Sequence, residues 1–134
     1  MSDTQPRTPD EVGVPDPFPF MHPMLKKNYG NWDWHDRPRP GVLHHVAKNG
    51  EEVWTVRAGT QRQMDIFTIR KLCDIADQLA EGHVRFTTRS NIEFMVTSFD
   101  KAQPLIDKLT AEGFPVGGTG NSVSMISHTQ GWLH

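Results

Sequence analysis

After residue 41 the apolar and polar positions follow regular periods that predict both strands and helices. Four segments alternate with a period of two, as strands do: 42–47, 53–58, 84–89 and 92–97. Two segments repeat apolar residues at steps of three and four, as amphipathic helices do: 66–80, capped by Asp65, and 100–112, capped by Asp100. Asn49-Gly50 predicts a two-residue hairpin turn, and 114–116 a short last strand. This order predicts an α+β, ferredoxin-like split βαβ sandwich, an antiparallel sheet with two helices on one face.

The first forty residues differ in composition, because they hold eight of the ten prolines. Proline removes backbone donors and interrupts helices and central strands, so residues 1–40 are predicted to form an extended arm without a sheet of their own. The arm is also rich in aromatic residues, which a solvated tail would lack. It therefore either folds over its own domain or wraps a partner subunit, and the sequence leaves both open.

One face of the predicted sheet carries arginines. Alternation in 84–89 places Arg85, Thr87 and Arg89 together, on the side opposite the apolar residues. The strand that bears Arg57 is expected to lie nearby, since the first and third strands of the ferredoxin-like motif are neighbours. Each arginine either pairs with an acid such as Glu93 or points into water; alternatively, together they bind a polyanionic ligand.

Composition narrows the class of function. The formal net charge of −2 gives no reason to expect a nucleic-acid or membrane partner. No stretch approaches the roughly 20 apolar residues of a membrane span, and the acidic, proline-rich N-terminus is unlike a signal peptide, so a cytoplasmic location is expected. The single cysteine, Cys73, excludes an internal disulfide and a four-cysteine metal site from this chain alone; it is predicted to be buried in the core.

Two further features give only weak evidence of a binding site by themselves. His44 and His45 are adjacent in a strand and face opposite sides, so they do not form a metal pair, and no metal site is predicted. The glycine-rich run 117–122 can expose backbone N–H groups to an anion or simply form a tight turn.

Several long runs resemble the beta subunits of dissimilatory sulfite reductases. They are GVLHHVAKNGEEVWTVRAGTQRQMD, TIRKLCDIAD, VRFTTRSNIEF and GFPVGGTGNSVSMISHTQGWLH, and the upstream MHPMLKKNYGNWDWHDRPRPG also fits. The resemblance covers nearly everything from Pro19 to His134. The pattern Arg85-x-Thr87-x-Arg89-x-Asn91 is similar to the wider sulfite and nitrite reductase superfamily.

The resemblance implies an oxidoreductase that reduces sulfite to sulfide by six electrons, or runs in reverse in sulfur oxidisers. It implies siroheme and a 4Fe-4S cluster as cofactors. The implied partners are an alpha subunit, in an alpha2beta2 assembly, and a small sulfur-carrier subunit.

The resemblance also implies roles for individual residues. Arg57, Arg85 and Arg89 match arginines that contact siroheme carboxylates or substrate, and Arg57 is expected to contact sulfite itself. The other cofactor-binding positions implied by the match are Arg62, Thr87, Asn91, Thr119, Gly120, Asn121 and Ser122. The resemblance also implies that residues 41–117 form a ferredoxin-like half-domain of a sulfite or nitrite reductase. Residues 118–134 would then be the truncated start of the siroheme-binding domain.

The chain departs from the complete family, because the cluster cysteines and the substrate-binding lysines are missing. It is expected to be a fragment or truncated product that is inactive alone. One alternative is a stand-alone ferredoxin-like anion-binding or regulatory module without catalysis. Another alternative is an RNA-binding sheet, which would need stacking aromatic residues on the open face. It is less favoured, because the residues predicted for that face include Thr55 and Arg57.

Overall fold

The fold comes from a computed structural model that describes residues 7–60 and 63–117. These described residues form five strands: β1 (Trp32–Arg39), β2 (Val42–Ala47), β3 (Glu52–Gly59), β4 (Val84–Phe86) and β5 (Asn91–Val96). The α-helices are α1 (Pro9–Val12), α2 (Pro23–Lys27), α3 (Ile66–Leu79) and α4 (Ala102–Ala111), with 3-10 turns at Phe18–Phe20 and Phe99–Lys101. Within the described ranges, no helix has the length and apolar content needed to cross a bilayer.

The strands form one antiparallel sheet in the order β1-β2-β3-β5-β4. Alternate residues of β2, β3 and β5 pack with α3 and α4 into one apolar core, which confirms the predicted ferredoxin-like arrangement. Val116 bridges Ala58 at the end of β3, where the short last strand was expected. The largest fully buried apolar side chains are Phe94, Leu72, Ile75, Ile92, Leu105, Leu109, Val42, Val53, Val56 and Val96.

The two main helices begin differently. The Asp65 side chain accepts a hydrogen bond from the Thr68 backbone N–H at 2.7 Å, as predicted for a capping aspartate. Hydrogen bonds from the Thr68 side chain and backbone lower the pKa of the Asp65 carboxyl. The prediction that Asp100 caps α4 is wrong, because Asp100 lies within the 3-10 turn and α4 starts after Lys101 without a side-chain cap.

The prediction that Cys73 is a buried core thiol is also wrong, because its side chain is exposed. The buried face of α3 is formed by Leu72, Ile75 and Ala76, which follow the steps of three and four of a single narrow stripe. Cys73 is one residue past Leu72 and is therefore rotated by about 100° away from that stripe.

The turn between β2 and β3 places three residues, 48–50, between the hydrogen-bonded pair Ala47 and Glu51, instead of the predicted two. The Gly50 N–H donates to the Ala47 carbonyl at 2.9 Å, and the Ala47 N–H donates to the Glu51 carbonyl at 2.8 Å. Gly50 has φ +89°, the left-handed conformation that this three-residue turn places on glycine.

The expectation that the arm contributes no strand is wrong for Trp32–Arg39, which forms β1. β1 pairs with β2 only, so it is an edge strand, where a proline such as Pro38 removes no ladder hydrogen bond from the sheet interior. The division into 1–40, 41–117 and 118–134 stays a prediction, with β1 already inside the arm.

Residues 17–31, called the strap below, fold over their own sheet, which was one of the two possibilities left open for the arm. Two polar residues of the strap are buried, His22 at 7% exposed and Asn28 at 1%. His22 Nε2 lies 3.4 Å from the Glu81 carboxylate, and Asn28 Oδ1 accepts a hydrogen bond from Asn49 at 3.0 Å. The strap is therefore attached both after α3 and at the β2–β3 turn.

Candidate functional site

Three charged residues lie directly opposite one another on neighbouring strands. Arg57 of β3 pairs in register with Glu93 of β5, and Glu93 pairs with Arg85 of β4. Their neighbours Val56 and Phe94 point into the helix-covered core, so these three residues lie on the opposite side of the sheet, called the polar face below. Arg57, Glu93 and Arg85 are called the charged row.

Both arginines bind the same carboxylate. Arg57 Nε donates to Glu93 Oε2, and Arg85 Nη2 donates to Glu93 Oε1. The Glu93 side chain is only 2% exposed, against 19% for Arg57 and 59% for Arg85. Pairing with an acid such as Glu93 was one of the three possibilities that the sequence left open. One carboxylate against two guanidinium groups leaves the charged row with an excess positive charge, and Arg85 uses one of its five N–H donors on Glu93.

The Arg57 backbone is held on both sides by other parts of the chain. Its N–H donates to the Gly41 carbonyl at 2.8 Å, and its carbonyl accepts from the Gly117 N–H at 3.0 Å. The space between these segments is small: a Cβ on Gly41 would lie 2.5 Å from Val116 Cγ1 and 2.6 Å from Gly117 N. Gly41 also has φ +84°, so two separate requirements favour glycine there.

Thr87 and Arg89 are in a turn and not in a strand, because β4 ends at Phe86. The predicted strand 84–89 is therefore too long, and strand alternation does not determine which side of the sheet Thr87 and Arg89 face. The turn is closed by hydrogen bonds from the Ser90 N–H to the Thr87 carbonyl at 3.0 Å and from the Thr87 N–H to the Asn91 carbonyl at 2.8 Å. Ser90 has φ +61°, and Arg89 is half-buried.

Among the residues that the structure describes, two buried polar side chains on the polar face have no hydrogen-bond partner. Asn91 is 0% exposed with both amide atoms unpaired, and Thr55 is 2% exposed with its hydroxyl unpaired. Leaving such a group unpaired costs about 1–3 kcal/mol, so it usually indicates a partner that is not present. Asn91 precedes Glu93 by two residues on β5, and Thr55 precedes Arg57 by two on β3, so both share the side of the charged row.

The strap covers the end of the polar face away from Asn91. Leu25 of the strap lines two hollows together with Met95 and Arg85. The larger hollow, about 220 Å³, is mostly apolar and also contains Glu93. Arg85 therefore lies at the edge of the part of this face that the strap covers.

His45 lies on the polar face, in the smaller hollow. Burial lowers the pKa of its imidazole, and the nearby His35 lowers it further. The adjacent His44 takes the other face, where its ring stacks on Trp54 with centroids 4.7 Å apart. This confirms that the two adjacent histidines point to opposite sides.

Several predicted site residues lie outside the described residues: Arg62, Thr119, Gly120, Asn121 and Ser122. Their roles stay predictions. In the part of the chain that the structure describes, no group of three or more His, Cys, Asp or Glu side chains is placed to hold a metal ion.

Sequence reasoning did not anticipate that Glu93 bridges two arginines, or that Thr55 is buried and unpaired. A signal was present for Glu93: counting the β4–β5 hairpin pairs outward from its turn places Glu93 opposite Arg85. Thr55 could not be found this way, because its burial depends on how the rest of the chain covers the face.

The chain is similar to proteins named "Sulfite reductase, dissimilatory-type subunit beta". It is 48% identical to the proteins from Megalodesulfovibrio gigas and Nitratidesulfovibrio vulgaris and 45% identical to that from Archaeoglobus fulgidus, in each case over 86% of this chain. These alignments cover 47%, 32% and 33% of the respective relatives, so the chain spans about half of the first and about a third of the other two. The nitrite/sulfite reductase ferredoxin-like half domain matches residues 45–112, about half of the chain, and the chain belongs to that family.

Proposed function

We propose that this chain is the N-terminal part of a dissimilatory sulfite reductase beta subunit, which reduces sulfite to sulfide by six electrons or runs in reverse, in the cytoplasm. The observation that carries the proposal is the charged row, which presents two guanidinium groups on one side of the sheet. The relatives named as such beta subunits support the same conclusion.

The polar face fits siroheme, a tetrapyrrole that carries many carboxylates. Arg57 and Arg85 supply guanidinium forks of the shape that carboxylates take, and the charged row has an excess positive charge. The buried, unpaired amide of Asn91 offers both a donor and an acceptor on the same side. Arg89 and Thr87, in the turn beside Asn91, are the further residues that we assign to siroheme.

When bound, siroheme supplies the iron at which the sulfur oxyanion is reduced. The contribution of this chain is electrostatic. Arg57 is assigned to sulfite because its side chain is the more buried of the two arginines, so its charge acts where water screens it less. Fixed donors of this kind stabilise negative charge strongly, and loss of one typically lowers the rate by about 10²–10³-fold.

The residues of this chain do not fit a 4Fe-4S cluster. Such clusters are held by several cysteine thiolates, and Cys73 is the single cysteine. Cys73 is exposed on α3, a helix that packs on the side of the sheet opposite the charged row. We assign the cluster ligands to the part of the relatives that this chain does not match, and propose an alpha subunit and a sulfur-carrier subunit as partners.

The test is siroheme content after co-expression of the chain, extended to the length of its relatives, with an alpha subunit and siroheme-synthesis enzymes. Combined replacement of Arg57, Arg85 and Arg89 by alanine is expected to remove the siroheme absorbance from the purified complex. Arg70→Ala, which removes an exposed arginine of α3, is the matched control and should retain it. Full siroheme content in the triple variant would show that the proposed site is wrong.

A further inference from the structure

We infer that Thr55 and His45 hold water between them in the smaller hollow of the polar face and relay protons through it toward Arg57. This inference rests on the proposed function, because it assumes that sulfite is reduced beside Arg57. Reduction of sulfite to sulfide removes each oxygen as water, and this consumes protons that the protein must deliver. Neither Thr55 nor His45 belongs to the arginine pattern or to the residues assigned to siroheme.

The two residues lie on one side of the sheet, in line with Arg57. His45 of β2 is paired in register with Val53 of β3, and Thr55 follows Val53 by two residues. His45 and Thr55 are therefore diagonal neighbours on the polar face, about 7–8 Å apart. Arg57 follows Thr55 by two more residues on the same side, about 7 Å further along β3. Thr55 thus stands between the imidazole and the arginine assigned to sulfite.

The hollow that joins them is suited to water. It has a volume of about 80 Å³, and its polar lining residues are Thr55, His45 and Arg85. A water molecule takes up about 30 Å³ in the liquid, and it stays in a buried site that offers two to four polar partners. Three polar side chains meet this condition, and the hollow is too small for a tetrapyrrole. The remaining lining residues are apolar: Leu25, Trp32, Val53 and Met95.

The Thr55 hydroxyl supplies an independent reason for water at this place. The residue is 2% exposed, and its hydroxyl has no hydrogen-bond partner among the residues that the structure describes. Burial of an unpaired hydroxyl is unfavourable, and a water in the hollow would satisfy it. Because a hydroxyl both donates and accepts, it can take a proton from a water on one side and release its own proton on the other.

His45 is suited to give up a proton. Burial lowers the pKa of its imidazole, and the facing His35 of β1 lowers it further. The other charged groups that act on this pKa are Arg85 and the adjacent His44, which lower it, and Glu93, which raises it. A lowered pKa makes the imidazolium a stronger acid, which favours transfer of its proton. The ring is half-buried, so solvent can return a proton to it.

Each cycle of the relay moves one proton and leaves both side chains as they were. The His45 imidazolium gives its N–H proton to the water in the hollow, and that water passes a proton to the Thr55 oxygen. The Thr55 hydroxyl releases its own proton to a water on the Arg57 side, from which the sulfur oxyanion receives it. Solvent then protonates the imidazole again. Only N–H and O–H bonds break and form, and the electrons come from the iron cofactors of the proposed function.

The experiment measures sulfite reduction by the co-expressed, siroheme-loaded complex of the extended chain with an alpha subunit. Thr55→Val keeps the shape of the side chain but removes the hydroxyl, and it is expected to lower kcat at least about tenfold with KM and siroheme content unchanged. Thr55→Ser retains a hydroxyl and should recover most of the activity. Thr110→Val is the matched control, because Thr110 is exposed on α4, on the other side of the sheet, and this variant should keep the wild-type kcat.

The pH profile of kcat separates proton delivery from a purely structural role of these residues. The donor is the imidazolium, so its contribution is largest at low pH and declines as the pH rises through the folded pKa of His45, which lies below the ordinary 6.5. The wild-type complex should show this decline, whereas His45→Gln and Thr55→Val should lack it. Titration of sulfite is common to all the complexes and does not distinguish them.

Histidine NMR titration of this chain tests the water without any activity measurement. Water held by Thr55 solvates the imidazolium, so its loss in Thr55→Val should move the His45 pKa further down, and Thr110→Val should leave it where it is in the wild-type chain. An unchanged His45 pKa in Thr55→Val would overturn the inference. If Thr55→Val does not fold, the pH profile of His45→Gln decides instead, and a profile like that of the wild-type complex would overturn the relay.

The remaining outcomes separate the relay from the proposed function. Wild-type kcat in a siroheme-loaded Thr55→Val complex would overturn the relay alone. Loss of siroheme from Thr55→Val would make Thr55 a contact of the cofactor, and this would also overturn the relay. A wild-type complex that holds no siroheme or does not reduce sulfite would contradict the proposed function, and the relay would fall with it.

Discussion

The two faces of the sheet are built from the same strands but differ in almost every physical respect. One face packs against α3 and α4 through residues such as Val56 and Phe94, which are completely buried. The other face carries the charged row, in which Arg57 directly follows Val56 and Glu93 directly precedes Phe94. A step of one residue thus separates the apolar core from the candidate site.

In this domain, the residues that stabilise the fold and the residues of the candidate site lie on opposite faces of the sheet. The helix-covered face has a complete apolar core, whereas the polar face keeps two guanidinium groups, a buried carboxylate and unpaired polar atoms. Groups of the second kind reduce stability unless a ligand or another part of the protein satisfies them. Among the described residues, the helix-covered face has one such unpaired atom, His44 Nε2, and a concentration of charged and unpaired groups on the polar face is what a site retained for binding would produce.

The largest effect is expected on the helix-covered face. Phe94 is 0% exposed, so Phe94→Ala should lower the free energy of unfolding by about 3–5 kcal/mol through lost burial and the cavity left behind. Phe86→Ala, on the partner strand β4, is the matched control; Phe86 is 60% exposed, and the change should cost less than about 1 kcal/mol. Urea denaturation measures both, and equal losses would mean that the burial of Phe94 does not stabilise the helix-covered face as described.

A smaller and asymmetric effect is expected on the polar face. Arg57→Ala should cost about 2–3 kcal/mol, because, among the described side chains, it leaves the buried Glu93 carboxylate with only the mostly exposed Arg85 as a partner. Arg85→Ala should cost about 1 kcal/mol or less, since the lost guanidinium was largely in water already. Urea midpoints of the two variants provide the comparison, and a greater loss for Arg85→Ala would contradict the burial order of the charged row.

The smallest effect is a pH dependence that also originates on the polar face. The pKa of His45 is lowered from its ordinary 6.5 by burial and by His35, so the unfolded chain binds this proton more readily than the folded chain. The stability that comes from neutral His45 is complete above that ordinary pKa and is lost as the pH falls through 6.5 toward the lower folded value. Melting temperatures between about pH 8 and pH 5 should fall less steeply for His45→Gln than for the wild-type chain. Parallel profiles for the two chains would remove His45 as the cause.

The sequence predicted the faces of the sheet better than its edges. Alternation placed Val56 and Arg57 on opposite sides correctly, because side-chain direction in a strand depends only on the local period. The rule against prolines in strands failed at β1, where Pro38 is tolerated because the strand lies at the sheet edge. Edge position is a property of the assembled sheet and cannot be obtained from a single segment.

The candidate site shows the same limit. The arginine pattern identified Arg57 and Arg85, but strand alternation could not place Arg89, because β4 ends at Phe86 and a tight turn follows. The unpaired state of Asn91 depends on which atoms surround it after folding, which residue spacing does not specify.

Gly41 and Gly117 approach each other closely, and the backbone of Arg57 is hydrogen-bonded to both. Its peptide groups join the β1–β2 turn to the backbone of Gly117, and there is no room for a side chain at position 41. Any rearrangement of the residues that follow Gly117 would therefore displace the main chain of the very arginine assigned to sulfite. On this geometry, the folding of the residues that follow Gly117 and the alignment of Arg57, the arginine proposed to bind sulfite, are mechanically linked.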